Sequence, residues 1–226
     1  MNTHVSTRKP NFRNNSIIPR LENGDRLTRE EFHRRYEAMP ENVRAELIKG
    51  IVYMASPVRA DNHGKPHADM MSALSYYRLV TNGISLLDNA TYVARDDYEP
   101  QPDIVLRIDK KHGGNSWISE GGYLEGSPEF IAEISSTTVS YDLHEKLELY
   151  EAKGVQEYLV WRVLDEQIDW FSLENAKYKK MSADKNGIVE SKVFPGLMLN
   201  VNALLDDDMK QVLVTLQEGL ASIKYK

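Results

Sequence analysis

The stretch "EFIAEISSTTVSYDLHEKLELYEAKGVQEYLVW", residues 129–161, decides how this chain folds. It begins with the run "EFIAEIS" (129–135) and ends in "VQEYLVWRV" (155–163), two segments with the composition of buried strands. Between them, "DLHEKLELYEAKG" (142–154) has the apolar spacing of a helix, and Gly154 stops it. Glu133 breaks the pattern, because it puts a carboxylate in the middle of the first apolar run. Burying a charge is costly unless it is paired or holds a metal. The strand end must therefore open into a cleft or face something cationic. The helix offers a cation, since Lys146 stands four residues after Asp142, on one face, with Tyr150 one turn further.

Working outward, "DIVLRI" (103–108) and "ATYVAR" (90–95) read as further strands. "RLTREEFHRRYEAM" (26–39) reads as a helix with Thr28 as cap and Glu31 at capping-box spacing. "AELIKGIVYMAS" (45–56) reads as a hairpin around Lys49-Gly50, and "HADMMSALSYYRLV" (67–80) as a helix halted at Asn82-Gly83. Past residue 163, "QIDWFSLE" and "KYKKMS" read as a hairpin or meander, and about 209–223 as a last helix. The fold class expected is α/β (α+β): a mixed central β-sheet flanked by helices, with an added N-terminal hairpin and C-terminal helix. Residues 1–24 read as a polar, partly disordered arm, 25–205 as the domain, and 206–226 as a C-terminal helix on that domain.

Four residues stand out for chemistry: Glu46, Asp103, Glu133 and Lys146. Pro102 fixes the start of a strand and places Asp103 at its end. If the strands of Asp103 and Glu133 are neighbours, their carboxylates converge. With a backbone carbonyl, best supplied by Ile134, they make a magnesium site that Mn²⁺ could also fill. Such an ion polarises a phosphoryl oxygen and supplies hydroxide at neutral pH. Lys146 can neutralise charge on a phosphate or orient the attacking water. Asp142 reads as a helix cap or as an orienting partner for Lys146. His63 belongs near a phosphate or at the cleft rim; a zinc site with His67 is disfavoured by Pro66 between them and by the lack of a third ligand.

Composition narrows the alternatives. The 226 residues include no cysteine, which excludes disulfides and thiolate metal sites and suits a cytoplasmic location. No G-x-S-x-G or phosphate-loop pattern is present. No apolar run approaches the roughly 20 residues of a membrane helix, and the first residues lack a secretory apolar segment. The net charge of −6 runs against tight duplex binding by a broad basic surface.

The run "PDIVL … PEFIAEISSTTVSYDLHEKLELYEAKGVQEYLVW" resembles the Uma2 family, a branch of the PD-(D/E)XK nuclease superfamily. "AELIKGIVYMASP" resembles its hairpin ending in Ser-Pro, here Ser56-Pro57, and "NHGKPHADMMSAL" its following helix, with His63 at the usual histidine. "FPGLMLNV" resembles its late Pro-Gly-Leu strand, so the likeness spans roughly residues 25 to 205. The resemblance implies a restriction-endonuclease-like core and a metal-dependent endonuclease acting on DNA. It matches Asp103 to the superfamily's "PD" aspartate, Glu133 to the acid of the second half-motif, and Glu46 to the early acid. Where the superfamily has lysine two residues after that acid, this chain has Ser135; the resemblance implies that Lys146 supplies the amine instead. The rival expectation is a catalytically inactive binding or scaffolding module on the same fold, homodimeric in either case.

Overall fold

The computed structural model describes residues 18–40, 42–55, 59–94 and 97–223. Helix α1 (Arg29–Tyr36) starts at Thr28, whose hydroxyl accepts the Glu31 N–H at 3.3 Å. Strands β1 (Ala45–Ile48) and β2 (Ile51–Met54) form the expected hairpin. Its turn residues Lys49 and Gly50 have φ of 51° and 72°, a tight turn of the primed kind that matches strand twist. Ser56-Pro57 lies outside the described residues, as do residues 1–17 of the N-terminal arm. Helix α2 (Lys65–Val80) follows a wide helical turn at Ala60–Gly64.

Strands β3 (Ile84–Asp88) and β4 (Ile104–Ile108) come next, then a small hairpin of β5 (Ser116–Ile118) and β6 (Leu124–Gly126). Strand β7 (Phe130–Ser135) leads into helices α3 (Val139–Leu143) and α4 (Glu145–Lys153), and these into β8 (Glu157–Arg162). Strands β9 (Gln167–Glu174) and β10 (Lys177–Lys180) form a hairpin. Strands β11 (Ile188–Glu190) and β12 (Met198–Asn200) pair separately, before helices α5 (Val201–Leu205) and α6 (Met209–Ile223). Among the described residues no helix is long and apolar enough to cross a membrane.

The central sheet runs β10-β9-β8-β7-β4-β3. Only β7 and β8 are parallel; the other neighbours are antiparallel, so the sheet is mixed. A parallel pair needs a crossover, and α3 and α4 supply it. Strand β7 is buried along its whole length, which explains its near-continuous apolar composition. Phe130, Ala132 and Ile134 share a core with Met70, Leu74 and Tyr77 of α2 and with Val212 and Leu216 of α6. Alternate residues face the other way, where Ile131 packs with Leu149 and Tyr150 of α4. Glu133 shares the face of Ile131. A third cluster joins Phe32 of α1 to Leu47 and Val52 of the first hairpin.

Three expectations need correction. Residues 90–95 are not a strand of the sheet: Tyr92 makes one isolated bridge to Leu124, its hydroxyl bonds the Gly126 carbonyl at 2.6 Å, and Arg95 lies outside the described residues. The place beside β4 belongs to β3, whose "ISLLD" lacks the alternation that marks a strand in sequence. The glycine-rich segment 109–128, where the sequence reading set no strand, contains β5 and β6. The helix expected at 142–154 begins earlier and is broken at His144, which has φ −122° and ψ −81°. The Asp142 carbonyl is diverted there to the Tyr158 hydroxyl at 2.9 Å, so Asp142 sits inside α3 rather than capping α4.

Glu129, 1 % exposed, ties the start of β7 to its surroundings. Its carboxylate accepts the N–H of Ile108 at 2.8 Å and of Asn115 at 2.9 Å. Glu129→Ala strands both donors, at about 1–3 kcal/mol each. The melting temperature should fall by roughly 5–20 °C, with a smaller loss in Glu129→Gln. An unchanged melt of Glu129→Ala would show that these bonds do not hold the ends of β4 and β7.

Candidate active site

The site follows from the β4/β7 register. Ile104 pairs with Ala132 and Val105 with Ile131, so one further step sets Asp103 opposite Glu133, on one face of the sheet. Their bonds are reciprocal. The Asp103 N–H donates to Glu133 Oε2 at 3.3 Å, and the Ile134 N–H donates to Asp103 Oδ2 at 2.7 Å. The other Asp103 oxygen stands 3.4 Å from His63 Nε2. Helix α4 lies over this face and brings Lys146 and Tyr150 to Glu133 Oε1, at 3.0 and 3.1 Å. Glu46, on β1, reaches the same ammonium at 3.0 Å and is oriented by the Gln101 N–H at 2.7 Å. Asp142 completes the set, 3.5 Å from Lys146 Nζ.

Ser135 stands two residues after Glu133, at the end of β7. Its buried hydroxyl donates to Asp142 Oδ2, and Thr138 donates to the same oxygen at 2.7 Å. Asp142 Oδ1 is buried with no hydrogen-bond partner. The structure thus brings Glu46, Asp103, Glu133, Asp142, Lys146, Ser135 and His63 together with the Ile134 backbone. His67 turns to another acid: its Nε2 lies 3.2 Å from Asp88 and 3.4 Å from the Asp103 carbonyl, while its ring stacks on His63 at 5.8 Å and lines the same cleft. Among the described residues no three His, Asp or Glu side chains form a preformed metal cage.

Gln101, Thr138 and Tyr158 escaped the sequence reading. Gln101 and Tyr158 act on residues brought close only by folding, Glu46 and Asp142; Thr138 stands four residues before Asp142, and that spacing is its one local signal. Tyr53 and Tyr141 were also missed. They meet edge to face with ring centroids 4.7 Å apart, and both line the cleft of about 1360 Å³ that contains the acids and Lys146.

The electrostatics are crowded. Burial drives the Glu133 carboxyl well above its ordinary range; Lys146 opposes this, and Asp142, Asp103 and Glu46 reinforce it. Burial works to lower Lys146, but Glu133, Glu46 and Asp142 outweigh it and hold the ammonium well above its usual value. Lys146 is therefore charged at neutral pH. Burial would raise Asp103, yet the bond and charge of His63, the Ile134 N–H and Lys146 bring it below the ordinary aspartate value. Its hydrogen bond to Asp103 raises His63 against the effect of burial. Burial, aided by a hydrogen bond to Tyr141, pushes the Tyr53 hydroxyl up to about 12.

Residues 29–202 match the sequence model of Uma2, a family described as "Putative restriction endonuclease". The chain belongs to the Uma2 family. Its fold is similar to a crystal structure titled as "a putative nuclease belonging to DUF820 from Anabaena variabilis". That protein is 16 % identical, with a TM-score of 0.59, over 80 % of this chain and 98 % of the other. This likeness establishes a shared fold and nothing finer. No curated protein sequence matches this Uma2 chain.

Lys146 is the hinge of the Uma2 site's stability. In Lys146→Met, buried carboxylates lose their cation, at a cost of about 3–5 kcal/mol near pH 7. The pH dependence has a definite sign. A raised Glu133 means the folded chain keeps a proton that the unfolded chain releases above its value of 4.5, so stability falls as pH rises through that window. Removing Lys146 raises Glu133 further, so the variant's deficit should widen from pH 4.5 to pH 8 in urea melts. Glu133→Gln on the same background should recover part of it. A deficit that is flat with pH would contradict this account.

Proposed function

We propose that this protein is a metal-dependent endonuclease that hydrolyses phosphodiester bonds in DNA. The observation that carries the reading is the meeting, at the base of an open cleft, of the opposed Asp103 and Glu133 with Lys146, whose Nζ lies 3.0 Å from Glu133. Family membership and the nuclease fold point the same way.

The donor chemistry fits a hard cation. Three carboxyl groups, Glu46, Glu133 and Asp142, crowd one ammonium, and a fourth, Asp103, is bonded to the same strand end; burial first, and then Asp142, Asp103 and Glu46, hold the Glu133 carboxyl high. Oxygen donors without sulfur suit Mg²⁺, with Mn²⁺ as substitute. Asp103 and Glu133 would hold the ion with the Ile134 carbonyl. The oxygens available are Asp103 Oδ1 and Glu133 Oε2, whose protein contacts are the long ones, at 3.4 and 3.3 Å. When bound, the ion supplies Lewis-acid activation of the phosphoryl group and of a water.

The protein's own groups do the rest. Lys146, fixed by Glu133, Glu46 and Asp142, directs an ammonium proton at the attacking water or at a phosphoryl oxygen gaining charge. Ser135 and Thr138 hold Asp142, which keeps Lys146 from swinging away. Tyr150 leaves Glu133 fewer orientations. His63 shares Asp103 and faces the cleft where a phosphate would sit. The expected homodimer enters this reading as a way of pairing two cuts.

Purified protein should cleave DNA in Mg²⁺ or Mn²⁺, and Asp103→Ala and Glu133→Gln should each lower the rate by about a hundredfold or more, the several kcal/mol that such an ion contributes. Titration calorimetry should show Mn²⁺ binding that Asp103→Ala loses. Wild type and variants that are equally inert on all DNA forms, with no Mn²⁺ heat, would leave the scaffold alternative standing.

A further inference from the structure

The reacting groups of this site are recessed. Glu133 and Lys146 are only 3 and 5 % exposed, and the Asp103 side chain 15 %. A phosphate must descend into the cleft to reach them. A phosphate of an intact duplex rides on a stiff helix, whereas an extended single strand can dip.

Among the described residues the cleft lining has few of the cations that hold a duplex. Its exposed cations are Arg44 and Arg59, and Arg44 is already bonded to Asn89 at 2.9 Å. Duplex affinity grows with the number of phosphates neutralised, and here that number is small on a chain of net charge −6. Proteins that hold single strands add a second source of affinity, aromatic rings on which bases stack.

Such rings are present, next to the acids. Tyr53 pairs across the hairpin with Glu46, so the two side chains share a face. Tyr141 precedes Asp142, whose side chain points inward while the Tyr141 ring remains 37 % exposed. The edge-to-face contact, at 62° between planes, props Tyr141 on the half-buried Tyr53. A ring held this way loses little freedom when a base covers it.

We propose that the substrate is single-stranded or locally unpaired nucleic acid, with the base beside the scissile phosphate stacked on Tyr141 and Tyr53 as its support. This rests on the nuclease reading for its chemistry, but its test reads binding alone. The full chain is titrated against a labelled single-stranded oligonucleotide, its RNA equivalent and the matching DNA duplex by fluorescence anisotropy, in Ca²⁺ with no Mg²⁺ or Mn²⁺. A single strand of either sugar should bind at least about tenfold more tightly than the duplex. Tyr141→Leu should weaken single-strand binding about 5- to 150-fold while leaving the melting temperature and duplex binding little changed, and Tyr141→Phe should restore it. A duplex bound as tightly as the strand, no binding of either, or a Tyr141→Leu variant with unchanged single-strand affinity would each overturn the proposal. Failure of the nuclease reading looks different: strand preference and the Tyr141 effect persist, while Mg²⁺ and Mn²⁺ produce no cleavage.

Discussion

The register of β4 against β7 is the constraint on which the rest of this structure depends. With Ile104 set against Ala132, Asp103 and Glu133 fall opposite one another on the face that α4 covers. A slip of one residue would turn Glu133 toward the core of Phe130, Ala132 and Ile134, among apolar side chains from α2 and α6. The cost of an unpaired carboxylate in that core is what fixes the alignment. The acids of the site thus help specify the sheet that displays them.

Helix α4 answers the charge that β7 brings. Lys146 reaches Glu133 from the helix, and Ser135 on the strand turns to support Asp142. The division is sterically reasonable. Residue 135 is 0 % exposed, a tight place for a long charged side chain, while a helix residue can extend across the gap between layers. The break at His144 belongs to the same solution. It lets Asp142, in α3, point at Ser135 and Thr138 while Lys146, in α4, points at Glu133.

The site is built to be charged and only partly satisfied. Asp142 Oδ1 has only the Lys146 ammonium, at 3.5 Å, and Asp103 and Glu133 each keep an oxygen with only a long contact. A network that served stability alone would be expected to close these bonds. Loosely held oxygens beside a cleft are the observation on which the proposed cation site rests. The aromatic rim of Tyr53 and Tyr141 adds a surface of different chemistry at the same opening.

Much of this was legible in the chain itself. The apolar run of β7, the stop at Gly154, the Lys49-Gly50 turn and the Thr28 cap are local features, and local sterics and hydrogen bonding determine them. The misplacement of Glu133 in an apolar run announced a site, because a buried charge needs a partner wherever the chain puts it. What the chain could not announce was which segment fills the sheet edge, since "ISLLD" lacks strand alternation and takes the place beside β4 only through the fold. Nor could it place Gln101, Tyr53 or Tyr141, whose roles exist only once the first hairpin docks. Residue chemistry declared that charge would be buried and paired; only tertiary structure decided with what, because strand register and helix docking are set by the whole core's packing and not by neighbours in sequence.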